Sequence, residues 1–97
     1  MKIPNKVRIL YKKYDVGFEP NLHDENGDLY GQILYVPEKI ILNSAGSREQ
    51  QKATLLHEVV HGLDELYGIG LKEEQVEKLG TAMYMLVKDN PEMFSEE

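Results

Sequence analysis

The stretch Ser47–Gly68 (SREQQKATLLHEVVHGLDELYG) contains the start, the body and the end of one helix. Its first residue is followed three positions later by Gln50, a pairing typical of the box that caps a helix N-terminus. Its last residue is a glycine, which commonly adopts the left-handed conformation that ends a helix. The sequence therefore predicts a helix over residues 48–67. The other elements are predicted from the segments on either side of it.

A second helix follows closely. Residues 68–71 form a short return, and the pattern after it predicts a helix over residues 72–89, ended by Asn90-Pro91. On the N-terminal side, residues 29–36 and 39–43 are predicted to be two strands. The two residues Pro37-Glu38 between them are few enough to make an antiparallel hairpin.

The first 28 residues contain two periodicities and a turn. Apolar residues between Ile3 and Tyr14 recur at helical spacing, which predicts an N-terminal helix over residues 3–14. Tyr14, Val16 and Phe18 alternate and predict a short strand ended at Pro20. Residues 21–28 have the composition of a turn centred on Asn26-Gly27.

Together these elements predict an α+β fold. It consists of an N-terminal helix, a short antiparallel sheet, the central helix and a following helix rich in glutamate. A chain of 97 residues has room for one hydrophobic core, so we expect residues 1–97 to form a single domain with residues 92–97 as a frayed tail.

Composition excludes several classes of protein. The chain has no cysteine, which rules out disulfides, iron–sulfur clusters and cysteine-based zinc sites. Its formal net charge of −6 argues against a binder of nucleic-acid phosphates. No apolar run approaches the roughly 20 residues of a membrane span. We expect a cytoplasmic protein that is a monomer. A basic face of the first segment is more simply a solvated surface than a nucleic-acid site (Lys2, Lys6, Arg8, Lys12, Lys13).

The central helix carries the motif His57-Glu58-Val59-Val60-His61. Two histidines four residues apart lie on one face of a helix, one turn from each other. Their imidazoles can therefore bind one Zn²⁺ and leave positions for a carboxylate and a water. Glu58 lies beside the histidines, where it can accept a proton from that water and act as general base.

A third protein ligand must come from elsewhere in the chain. The next helix begins with Glu73, Glu74 and Glu77, of which Glu73 and Glu77 share a face. Glu74 lies about 100° around the helix and is expected to face solvent. Spacing alone leaves the choice between the other two open.

These residues resemble a known group of enzymes. The segments TLLHEVVHGL (Thr54–Leu63) and EEQVEKLG (Glu73–Gly80) are similar to those of gluzincin metallopeptidases, and most of all to the small ImmA/IrrE-type proteins of phages and mobile elements. The resemblance implies a zincin-like fold, a Zn²⁺ cofactor and hydrolysis of peptide bonds. It implies Glu73 as third ligand and Glu77 as the partner of a zinc-bound histidine, or the two roles exchanged.

Two functional hypotheses follow. In the first, the protein is a zinc metalloendopeptidase that uses Glu58 as base on a protein or peptide substrate. The resemblance suggests a regulatory protein as that substrate, and the strand over residues 39–43 would offer its edge to the peptide. In the second, zinc only stabilises a small non-catalytic module that binds another protein.

Overall fold

A computed structural model describes residues 1–95 and shows a four-stranded sheet covered by one long helix, with a second helix packed on the first. The α+β class predicted from the sequence is therefore confirmed. The elements in chain order are β1 (Lys6–Ile9), β2 (Lys12–Glu19), β3 (His23–Asp24), β4 (Gly27–Asp28), β5 (Gly31–Leu34), β6 (Lys39–Asn43), α1 (Arg48–Tyr67) and α2 (Glu73–Asp89).

The predicted N-terminal helix is wrong. Residues 3–14 instead contribute β1 and the start of β2, which pair antiparallel around a turn at Leu10 and Tyr11. The apolar residues of this segment fit a helical period and an alternating one at the same time. Val7 and Ile9 on β1, followed by Tyr14 on β2, supply the β-branched and aromatic side chains that favour a strand facing a core.

The sheet is mixed, which corrects the prediction of an antiparallel one. Its strand order is β1-β2-β6-β5, and β2 runs parallel to β6 while the other pairs are antiparallel. The chain between β2 and β6 turns through the small β3–β4 hairpin and then through β5. It therefore enters β6 in the same direction as β2. The predicted β5–β6 hairpin is confirmed.

The core lies between the sheet and α1. Its fully or nearly fully buried apolar side chains come from four elements (Ile9, Tyr14, Ile40, Leu42, Leu55). Burying an aliphatic side chain of this size stabilises the fold by about 1.5–3 kcal/mol. Helix α1 packs against one face of the sheet and contacts the edge strand β5. Side chains on one flank of α1 therefore lie beside the free edge of β5.

Helix α1 begins and ends as its sequence predicts. The Ser47 hydroxyl accepts a hydrogen bond from the backbone N–H of Gln50 at 3.1 Å. Gly68 has φ of 63°, the left-handed conformation in which a residue without a Cβ has no steric penalty.

Helix α2 runs back along α1 and makes its main contacts with that helix. Its buried residues Val76, Gly80 and Tyr84 recur every four positions and form the stripe that meets α1. At the far end, the Tyr84 hydroxyl hydrogen-bonds the Glu49 carboxylate on the first turn of α1.

Pro91–Phe94 form a short 3-10 helix after Asn90, overlapping the segment predicted to be a frayed tail. The predicted fraying of Glu96 and Glu97 lies outside the described residues. None of the helices within residues 1–95 has the length and apolar character needed to cross a membrane.

Candidate metal centre and its cleft

The two histidines of the motif lie side by side on α1. The ring centroids of His57 and His61 are 4.9 Å apart, as one turn of helix dictates. Their side chains are partly buried, with 28% and 27% exposed respectively. Both rings therefore have one side against the protein and one side facing the cleft.

Glu73, at the start of α2, completes a triad with them. One carboxylate oxygen is 3.6 Å from His57 Nε2, and the other is 3.4 Å from His61 Nε2. One ligand atom from each of the three residues lies within 4.8 Å of the other two. The structure thus brings together the three residues for which a metal site was predicted.

These separations fit a tetrahedral ion. Zinc ligand atoms lie about 2.0–2.2 Å from the ion, so two of them at a tetrahedral angle are about 3.3–3.5 Å apart. The two nitrogen–oxygen distances, 3.6 Å to Oε1 and 3.4 Å to Oε2 of Glu73, are each within a few tenths of an ångström of that value. Two imidazoles and a carboxylate are also a donor set that zinc accepts, with a position left for another ligand.

The ionisation of His57 is compatible with this use. Burial lowers the pKa of His57, the nearby His61 lowers it further, and the Glu73 carboxylate acts in the opposite direction. A lowered pKa favours the neutral imidazole, which is the form that binds a metal.

The loop between the helices sets the position of Glu73. The Asp64 carboxylate accepts hydrogen bonds from the backbone N–H groups of Gly70 and Leu71, each at 2.8 Å. The Asp64 backbone carbonyl also accepts from the N–H of Gly68. One residue of α1 therefore holds both ends of the return, so that α2 starts beside the histidines.

Close packing of the helices at Gly80 fixes the same geometry from the other side. A Cβ at this position would lie 3.0 Å from the His57 Cα and 3.3 Å from its Cβ. Carbon atoms in ordinary contact are about 3.5–4.0 Å apart. Glycine at this position therefore lets α2 approach the ligand-bearing turn of α1 more closely than any other residue would.

Glu58 is buried beside the triad, with 7% of its surface exposed. Burial raises the pKa of Glu58 to about 7, since a desolvated carboxylate favours its neutral form. The neighbouring His61 lowers the pKa, Glu73 raises it, and a hydrogen bond from the Ile33 backbone lowers it. A carboxyl group whose environment is arranged in this way is suited to taking up and releasing a proton.

The other two glutamates of α2 lie apart from the triad. Glu77 is exposed, and only Glu73 meets both histidines. Glu74 faces solvent as expected and forms an ion pair with Lys78 at 3.0 Å. The role of Glu77 as a partner of a histidine stays a prediction, although its charge acts on His57.

The strand edge beside the metal centre belongs to β5, which corrects the expectation for residues 39–43. Strand β6 has β2 on one side and β5 on the other, so neither of its edges is free. β5 is the edge strand, and Gly31 and Ile33 line a cleft of about 370 Å³ together with the triad and Glu58. Sequence reasoning chose the wrong strand because strand order depends on pairings distant in sequence.

Two residues at the cleft were missed in the sequence. Tyr35 lines it and donates a hydrogen bond from its hydroxyl to the backbone carbonyl of His61 at 3.2 Å. Asp24, on the β3–β4 hairpin, also lines it. No local pattern marks either residue, since only the tertiary fold brings them to the motif.

No protein-family model matches the chain, and neither curated proteins nor solved structures give a match. The functional argument therefore rests on the geometry of the chain itself.

Proposed function

We propose that this protein is a zinc-dependent peptidase with a zincin-like fold, similar to the ImmA/IrrE-type proteins, that cleaves extended peptides in the cytoplasm. The observation that supports the proposal is the joint placement of three features in one cleft. These are the His57, His61 and Glu73 triad, the buried Glu58, and the free edge of a β-strand.

His57, His61 and Glu73 would hold the ion, which supplies Lewis acidity toward water and toward the carbonyl of the bond to be cleaved. Glu58 follows His57 directly on the helix and lines the same cleft. Its carboxylate accepts the proton of the attacking water and then passes it to the departing amine.

The edge of β5 would hold the peptide. The backbone N–H of Asn43 bonds to the carbonyl of Tyr30 at 2.8 Å, so Tyr30 faces β6. Because bonded and free residues alternate in an antiparallel ladder, the N–H and C=O groups of Gly31 and Ile33 point away from β6 toward the cleft. The Ile33 N–H bonds to the Glu58 carboxylate, and the other groups can form the main-chain hydrogen bonds by which an added strand binds a sheet edge.

The experiment that tests this function compares Glu58→Gln with the wild-type protein on a pool of unstructured peptides, with products identified by mass spectrometry. We expect cleavage by the zinc-loaded wild type and a loss of about 10²–10⁴-fold in Glu58→Gln, the usual contribution of a general base. Glu74→Gln removes the same charge from an exposed position and is the matched control. If Glu58→Gln contains as much zinc as the wild type, its lower activity comes from the missing general base and not from loss of the metal.

A non-catalytic module stabilised by zinc is the second candidate. Its support is that the triad joins α1 to α2, so a bound ion would connect the two helices directly. The Glu73 side chain is also 70% exposed, which leaves the site open to solvent. This candidate predicts no cleavage of any peptide by the zinc-loaded wild type, and identical behaviour of wild type and Glu58→Gln in every binding assay.

A further inference from the structure

The cleft at the metal centre is one part of a longer groove. A hollow of about 240 Å³ shares Leu29, Gly31, His57 and Glu58 with the cleft already described. A second hollow of about 400 Å³ shares Leu29 with the first and continues it toward the start of α1. The three spaces therefore follow one another along a single path beside β5.

The walls of this groove are two regular elements. On one side, Gln50, Thr54, His57 and His61 recur at intervals of three and four residues, which places them in one stripe along α1. On the other side, the chain from residue 29 to residue 35 runs as β5 and its extensions. A strand rises about 3.3 Å per residue, so these seven residues span about 20 Å, enough for a peptide of about six residues.

The carboxylates are the charged side chains that line the groove, and a bound Zn²⁺ would add positive charge only at its triad end. The acidic residues that line it are Asp24, Asp28, Glu58 and Glu73, and no lysine or arginine within residues 1–95 lines it. Glu58 and Glu73 take part in the proposed chemistry, whereas Asp24 and Asp28 do not.

Asp28 differs from the others by its position. It lines both hollows on the far side of the triad and is the only charged residue that lines the larger one, whose other lining residues are neutral. Its carboxylate forms no ion pair with any residue among 1–95, whereas Glu73 lies against the histidines. An exposed carboxylate without a cation, in the lining of a hollow that continues the peptide groove, can bind a cationic side chain.

We propose that the hollow beside Asp28 is a specificity subsite for a lysine or arginine side chain of the bound peptide. Tyr30 lines the hollow and Ile33 lies beside the catalytic carboxyl group, so about 10 Å of strand separate the two positions. The basic residue would therefore lie about three residues from the bond that is cleaved. This inference rests on the proposed function for the groove but not on catalysis.

The test measures binding of fluorescein-labelled octapeptides to the zinc-loaded protein by fluorescence anisotropy. Each peptide has a neutral, unstructured sequence with one lysine, and the lysine is moved through every position. Each has a twin with glutamine at that position and another with glutamate. Exposed or partly exposed ion pairs contribute modestly, so we expect the best lysine peptide to bind about two- to fivefold more tightly than its glutamine twin.

Two variants assign this preference to a residue. Asp28→Asn should abolish the difference between the lysine and glutamine twins and should raise the affinity of the glutamate twin. Glu25→Gln changes the same charge on the same hairpin, but Glu25 does not line the groove, so the preference should persist there. High salt should reduce the preference in the wild type and leave Asp28→Asn unaffected.

Equal binding of the three twins at every position would overturn the inference, as would a preference that survives in Asp28→Asn or an absence of binding by all peptides. The same samples, analysed for cleavage, separate this inference from the proposed function. Peptides that are bound with the lysine preference and left intact would support the subsite and contradict the peptidase. Peptides that are cleaved without the lysine preference would support the peptidase and contradict the subsite.

Discussion

Replacing Gly80 by alanine should weaken metal binding without touching a ligand. The added Cβ would lie 3.0 Å from the His57 Cα, about 0.5–1 Å closer than an ordinary carbon contact. Because the nearest atom is backbone, α2 must move outward, and Glu73 moves with it. Alanine gains about 1 kcal/mol of helix propensity over glycine, while overpacking of this kind costs about 1–3 kcal/mol. The net change in unfolding free energy should therefore be small or destabilising.

The larger effect should be on the metal. Changes in groups that support a ligand commonly reduce affinity by about 10–100-fold, and we expect a loss of about tenfold or more in Gly80→Ala. Zinc affinity is measured by competition with a chromophoric chelator, and stability by urea unfolding. Gly17→Ala is the matched control, since a Cβ there has no atom within 4 Å. Wild-type zinc affinity in Gly80→Ala would refute the claim that close helix packing positions Glu73.

Three further outcomes are expected. Asp64→Ala removes both side-chain hydrogen bonds of the return between the helices and should cost about 1–3 kcal/mol in urea unfolding, with weaker zinc binding. Zinc at about 100 times its Kd should stabilise the fold by about 2.7 kcal/mol, a rise of roughly 10–20 °C in Tm that His57→Ala abolishes. The Tyr84 hydrogen bond holds the pKa of Glu49 below its ordinary value of 4.5, so the folded state binds fewer protons than the unfolded state. Stability should therefore fall as pH drops below about 4.5, and this loss should be smaller in Tyr84→Phe than in the wild type.

The helices and the centre of the site were predictable because their signals are local. Ser47 and Gly68 mark the ends of α1 within the sequence itself, and the spacing of His57 and His61 places them on one face of any helix. The short return to α2 limits where an acidic third residue can come from. Sequence reasoning left Glu73 and Glu77 both open, because residues four apart share a face of α2, and only the packing of α2 on α1 brings Glu73 to both histidines.

The sheet was harder to predict because its pairings join distant residues. Residues 3–14 fit two periodicities and form the β1–β2 hairpin, which joins the rest of the sheet only where Asp15–Glu19 of β2 pair with β6. The same pairing covers β6 and leaves β5 as the free edge, so the strand beside the site could not be identified from the hairpin alone. Tyr35 and Asp24 reach the cleft only through this arrangement.

The most direct test of the central claim is the metal content of the purified protein, measured by mass spectrometry for the wild type, Glu73→Gln and Glu77→Gln. A metal centre built on His57, His61 and Glu73 predicts about one zinc per chain, lost in Glu73→Gln and retained in Glu77→Gln. Absence of zinc from the wild type, with none taken up when zinc is added, would contradict the account. So would loss of zinc in Glu77→Gln with full retention in Glu73→Gln.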